Sequence, residues 1–394
     1  MTLHRDVTEA NKHEPKGATT AAKNTAYMSD GAGSGVWRKP IGNNIVTVNE
    51  LADFPVAVAG VITLAANTNY TVAANVTTTS RFTGSQGSSI SSIGLRSPIL
   101  HYTGTGNMFS AIDADFIVRD IRLNCPNAQV FNCEDTVGNV HLFRCVSIQV
   151  DNCAKFGTFD DLQATLIENS SALNATTGIT LAGSTPLLTS IRQLIILSTS
   201  TTYVGIDLGT SVQNNFEVVD FTPSGGAGSI GIKGLAGSAN MGANKIAVVT
   251  RCSFDLVTTP LSGITVDDIR YKFLANGDIE DTMPDALISM VGNATATVTP
   301  VGVPTLVAGT WVDQRKSHFV NTTTGRIAYV GERPLTTPID ASITVDVVAG
   351  TNKVVRAYIA INGVVATGSG KSIRVDSGNP LNLSLVWQVK MNQN

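Results

Sequence analysis

The groups able to do chemistry in this 394-residue chain are carboxylate pairs, five cysteines and five scattered histidines. The carboxylates pair as Asp113 with Asp115, Asp160 with Asp161, Asp267 with Asp268, and Glu280 with Asp281. Two carboxylates at a set separation are what hydrolysis of a glycosidic bond requires. Neighbours in a strand point to opposite faces, so the adjacent pairs could share a site only from a turn, whereas Asp113 and Asp115 could share a face. Sugar clefts commonly add aromatic platforms. Aromatic residues are only 6 % of this chain, and Trp37, Trp311 and Trp387 all lie toward its ends. Solvated turns are the plainer reading of all four pairs, and no catalytic residue is assigned.

The histidines, His4, His13, His101, His141 and His318, form no HxH or HExxH pair, so no metal site is expected. His318 is the one C-terminal histidine, and an exposed or hydrogen-bonded structural role is its plainer reading. Cys125, Cys133, Cys145 and Cys153 cluster, with Cys252 apart. Their spacing lacks the C-x(2–4)-C pairs of zinc sites. They read as reduced, buried, apolar residues, and the 20-residue intervals from Cys125 to Cys145 and from Cys133 to Cys153 suggest a ladder in neighbouring coils. Gly33-Ser34-Gly35 is not the G-x-S-x-G elbow of a serine hydrolase, and no Lys-Ser or Lys-Thr pair follows the glycine-rich strip to make a phosphate loop. No cofactor is implied.

Elements that would position these groups are strands. Hydrophobic residues make up 43 % of the chain, enough for a sizeable core, but only 14 % are charged, against roughly 25 % in an ordinary soluble domain. A surface covered by Thr, Ser and Asn suits pleated backbone and its turns. The net charge of −3 leaves no basic excess to collect phosphates, so nucleic acid is not an expected partner. Met1 to Gly17 is polar and lacks the apolar segment of a secretory signal. The run from Pro55 to Ala66 is too short to cross a bilayer, and no membrane insertion is expected.

Residues 1–44 read as an extended tether. From 45 to 280, short β-branched runs alternate with Gly, Asn, Asp and Ser in a loose repeat. Gly178-Ile179-Thr180-Leu181, Gly205-Ile206-Asp207-Leu208 and Gly231-Ile232-Lys233 begin 27 and then 26 residues apart, and Gly263-Ile264-Thr265-Val266 follows after 32. Met108-Phe109, Val130-Phe131 and Lys155-Phe156 take the same part earlier in the chain, at intervals of 22 and 25. Between them lie further apolar strands such as Phe116-Ile117-Val118, Leu194-Ile195-Ile196-Leu197 and Phe216-Glu217-Val218-Val219. One such coil cannot bury its inward side chains, but stacked coils form a continuous core. The fold class expected is all-β, a right-handed parallel β-helix body with a C-terminal antiparallel β-sandwich, and a sandwich or barrel is the competing architecture for the body. A boundary falls near 280, where charge rises and Asp285 to Met290 suggests a short helix. Over 281–394, alternating strands and the hairpin signal Asn362-Gly363 predict the antiparallel sandwich.

Two stretches add a resemblance. His13-Glu14-Pro15-Lys16-Gly17, with Tyr27 and Asp30 to Trp37, resembles segments near the start of tailed-bacteriophage appendage proteins. Gly309-Thr310-Trp311, Phe319, Thr324 to Tyr329 and Ala360 to Gly363 are similar to the jelly-roll trimer domains of phage fibres and spikes. The resemblance implies a homotrimer made in the host cytoplasm and carried on the virion surface. His13, Pro15, Lys16, Gly17 and Trp37 would dock it to other virion proteins through residues 1–44. Its distal part would face the host, with a surface glycan as a further partner. A head fibre or capsid decoration protein and a polysaccharide-cleaving tailspike are the alternatives within that resemblance.

Overall fold

A computed structural model gives the structure of the chain and describes residues 26–29, 35–38, 44–282, 284–290, 297, 300–321, 326–330 and 335–391. The protein is nearly all β, 2 % helical, and its body is a β-solenoid of about 10 turns of parallel strands. No helix among the described residues is long and apolar enough to cross a membrane. The chain divides into two compact units, Met1–Thr265 with Lys272–Asp281, and Val266–Tyr271 with Thr282–Asn394.

The solenoid is wound from rows of strands that pair in parallel with their counterparts one coil away. One row runs through Val61–Thr63, Arg81–Thr83, Gly106–Ile112, Arg122–Glu134, Gln149–Asp160, Ala175–Ala182, Val204–Asp207, Ile230–Lys233 and Thr259–Ser262. Its register sets Ile62, Phe82, Phe109, Phe131, Gly157, Ile179, Ile206, Ile232 and Leu261 in one inward column. The Gly-Ile repeats at 178, 205 and 231 therefore mark one level of successive coils. The fourth expected member, Gly263 to Val266, does not: Leu261 takes the place assigned to Ile264, because Thr259–Ser262 is the stretch in register with Ile230–Lys233.

The glycines of that repeat have a steric reason. A Cβ on Gly178 would stand 2.0 Å from the carbonyl oxygen of Gly205, and one on Gly205 would stand 2.6 Å from that of Gly231. At these two positions adjacent coils approach too closely for any side chain, whereas the same level carries Met108, Val130 and Phe156 in the coils before. A second row includes Phe116–Arg119, Leu142–Val146, the first half of Ala164–Leu173, the first half of Leu188–Leu197, Phe216–Val219 and Ala247–Thr250. The corner after it carries one residue of positive φ per coil, namely Asp120, Ser147, Asn169, Gln193, Asp220 and Arg251. A left-handed residue turns the chain sharply, and Asn and Asp tolerate it best among residues with a side chain.

Aromatic rings fill the first half of the core. Phe54 plugs the first coil, with ring centroids 5.4 Å from Tyr70 and 4.9 Å from Phe82. The stack continues from Phe82 to Phe109, Phe131, Phe143 and Phe159 at spacings of 4.8–5.7 Å. Gly157 interrupts the inward column because the Phe159 ring occupies the space a Cβ would need. All five cysteines are free and buried. Register places Cys125 beside Cys153, and Cys133 beside Phe159, so the 20-residue pairing expected of the thiols is corrected: the coils there are longer and carry a bulge between Cys125 and Gln129.

In the second unit the described strands form antiparallel pairs. Leu335–Val345 pairs along its whole length with Leu381–Met391, Lys353–Ala357 with Lys371–Val375, and Ala360–Ile361 with Val364–Val365 around the Asn362-Gly363 turn. The three are nested in sequence, as one hairpin folding inward from its ends. Asp285–Ser289, expected as a helix, is a strand paired with Val312–Ser317. Pairing with that partner strand outweighs helix propensity over so few residues.

Two outcomes test this packing. Gly178→Ala is expected to lower unfolding stability by about 3 kcal/mol, read from a denaturant midpoint, since the added methyl meets backbone and not a yielding side chain. Burial raises the Cys145 and Cys153 thiols to about 12 and that of Cys252 to about 11, and raises Cys125 and Cys133 as well. An aqueous disulfide reagent at pH 8 is expected to leave all five unreacted in the native chain and to titrate five after unfolding.

Candidate functional site at a solenoid corner

The structure gathers the clearest cluster of titratable groups at the corner that follows the first row. Asp113 ends the strand Gly106–Ile112 in a left-handed turn, Asp135 follows Arg122–Glu134 one coil later, and His141 precedes Leu142–Val146. Ligand atoms of Asp113, Asp135 and His141 lie within 4.8 Å of one another. The parallel register, and no local motif, brings them together.

Asp135 has a fully buried side chain. Its Oδ1 accepts the N–H of Val137 at 2.9 Å, and its Oδ2 accepts those of Val140 at 2.6 Å and His141 at 2.8 Å. His141 Nδ1 stands 3.0 Å from the same Oδ2. Burial alone would raise this carboxyl, but the N–H donors of His141, Val137 and Val140 and the imidazole outweigh it and hold it at about 2. Asp113 receives the Thr136 N–H at 2.6 Å and its hydroxyl at 2.8 Å. Asp115 receives the Leu142 N–H at 2.8 Å and the Gln86 amide at 2.7 Å.

These carboxylates act as a clamp. Asp113 and Asp115, the pair whose spacing allowed a shared site, hold different groups: Asp113 the backbone and hydroxyl of Thr136, Asp115 the Leu142 N–H and the Gln86 side-chain amide. Together with Asp135 they fix the loop from 135 to 142 against the coil below. His141 and an oxygen of Asp113 are the groups a metal ion would have to use, and the Asp113 oxygens both already hold Thr136. Asp135 and its tie to His141 escaped the sequence reading because six residues and a turn separate them. An acidic residue just after a strand and before a loop was the available signal.

The other candidates are dispersed. Asp160 ends the strand Gln149–Asp160; burial and then the neighbouring Asp161 raise its carboxyl. Asp161 sits at positive φ and takes the Ser184 N–H at 2.7 Å. Asp281 receives the Ala275 N–H within the first unit, whereas Asp267 and Asp268 belong to the second. His101 Nδ1 lies 3.2 Å from Asn124, which continues through Asn152 to Asn174 as a ladder of side-chain amides at 3.0 and 3.2 Å. His318 is buried at positive φ in the second unit, and burial holds its imidazole below the usual range, against the pull of Asp267. Of the docking residues, Trp37 stands opposite Tyr27 in the antiparallel pair Ala26–Ser29 and Gly35–Arg38. His13, Pro15, Lys16 and Gly17 lie outside the described residues.

Asp135→Asn keeps the shape but replaces one acceptor oxygen with an NH2 donor that faces N–H donors. The amides of Val137, Val140 and His141 are expected to lose protection in hydrogen exchange at neutral pH, by about 1–3 kcal/mol of local opening energy. In the wild-type chain the same stabilisation is present above the unfolded carboxyl value near 3.9 and is lost as pH falls toward 2, because the folded value is the lower one. Comparison of the chain with protein-family models, with curated proteins and with solved structures gives no match.

Proposed function

We propose that the chain is a structural subunit of a bacteriophage appendage, a homotrimer that docks to the particle through residues 1–44 and presents its distal part to the host surface. The observation that carries this reading is the second unit. Of its two eleven-residue strands, Leu335–Val345 has no buried residue and its partner Leu381–Met391 has three, Leu383, Leu385 and Val389. Val348, Val364 and Val386 are 93 %, 71 % and 63 % exposed. A two-stranded ribbon with so little core is marginal in water, and packing against copies of itself is the economical way to cover it. A closed ring of three identical chains would bury the same face on each copy.

The solenoid supports a mechanical role over a catalytic one. Its acidic groups at the 113–142 corner are taken up in holding backbone, and its outward rows carry Asn, Thr, Ser and ion pairs such as Arg144 with Glu168 and Arg192 with Glu217. Such a surface suits a shaft that displays loops. Weak contacts from many copies on one particle would add by avidity.

Light scattering on the purified full chain is expected to give three times the 41.3 kDa of one chain, and a monomer mass would overturn the assembly. A cryo-electron map of intact particles is expected to place the chain at the tail or at the capsid, its absence from particles defeating the docking of residues 1–44. Incubation with host surface polysaccharide is expected to leave the glycan length unchanged, and shortening would replace this reading by a depolymerase.

A further inference from the structure

The aromatic filling of the solenoid core changes at one level. Along one inward column of the second row, Phe116, Phe143, Thr165, Thr189 and Phe216 succeed one another in adjacent coils. Thr165 and Thr189 have no exposed surface, and they stand where rings stand in the coils on either side. Beside them Gln213, from the next coil, is also fully buried. Thr189 Oγ1 donates to Gln213 Oε1 at 2.6 Å. Gln213 Nε2 and Thr165 Oγ1 have no hydrogen-bond partner among the described residues. Exchanging the amide oxygen and nitrogen of Gln213 only moves the deficit, because one end of the amide always faces Thr189 and the other stays unpaired.

Leaving a buried donor unpaired costs about 1–3 kcal/mol, and native cores hold few such groups. Two of them, from the coils before and after Thr189, in a place where threonines replace rings, point to an occupant that is small and polar. We propose that Thr165, Thr189 and Gln213 form a buried binding site for one water molecule. The water accepts hydrogen bonds from Gln213 Nε2 and Thr165 Oγ1. It donates to Thr189 Oγ1, whose proton is already committed to Gln213 and whose lone pairs are open. Three partners is the usual complement of a buried water. In this column of the second row the site separates Phe143 from Phe216. Exchange of the water with solvent requires the coils to part.

Thr165→Val decides the matter by sign, because valine keeps the shape and removes only the hydroxyl. Where the water is bound, the substitution takes away one of its three partners, and the melting temperature of the full chain falls by about 2–4 °C. Where the hydroxyl is unpaired in a dry core, its removal raises the melting temperature. An unchanged or raised value overturns the proposal. A high-resolution crystal structure of the wild-type chain is expected to show one water within hydrogen-bond distance of both the Gln213 amide and Thr165 Oγ1, and a dry site, or an amide paired to protein atoms, overturns it as well.

Discussion

Each coil of the solenoid can hide its inward side chains only under the next coil, and the parallel backbone ladder is what sets one above the other. Everything else in the first unit follows from that register. It stacks Phe82, Phe109 and Phe131 into a continuous filling, and it forbids a Cβ on Gly178 and Gly205, where the coils touch. It also repeats a left-handed corner at Asp120, Ser147, Asn169, Gln193, Asp220 and Arg251. A ladder of this kind is cooperative between neighbours and indifferent to distance, so local defects are felt by the adjoining coils first.

The same register explains how polar groups accumulate along the solenoid. Side chains at one level of successive coils sit a strand spacing apart, so identical residues meet their own kind: amides along Asn124, Asn152 and Asn174, and thiols at Cys125 and Cys153. Carboxylates brought together at the 113–142 corner meet backbone N–H groups of the loop that leaves it. Their charge is offset there by peptide dipoles.

Much of the solenoid was legible because its signals are short and recur. The Gly-Ile runs at 178, 205 and 231 announced one level of the coil, and Phe216 to Val219 is a strand with those bounds. What failed was whatever depended on coil length. Gly263 to Val266 looks like the repeat but falls outside the register, and equal spacing of cysteines misled because the bulge after Cys125 changes the count. The short stretch from Asp285 carries too few residues for periodicity to separate helix from strand, and pairing with Val312–Ser317 decided it. At the candidate site Asp113 was visible, but Asp135 was not, since its importance lies in three N–H groups that a one-dimensional pattern does not display. The corner of positive φ was hidden for a different reason: Asp, Ser, Asn, Gln and Arg share the backbone conformation without sharing a side-chain type.

The two kinds of corner differ in how much chain they can absorb. The left-handed corner closes in a single residue per coil, whereas the one bearing Asp135 and His141 holds segments of differing length before the next strand begins. Extra residues inserted at the first would shift every strand after them out of step with the coil below, but at the second they would bulge outward and leave the winding intact. Evolution of new surface, or the grafting of a foreign peptide, is therefore open along one ridge of the molecule and closed along another.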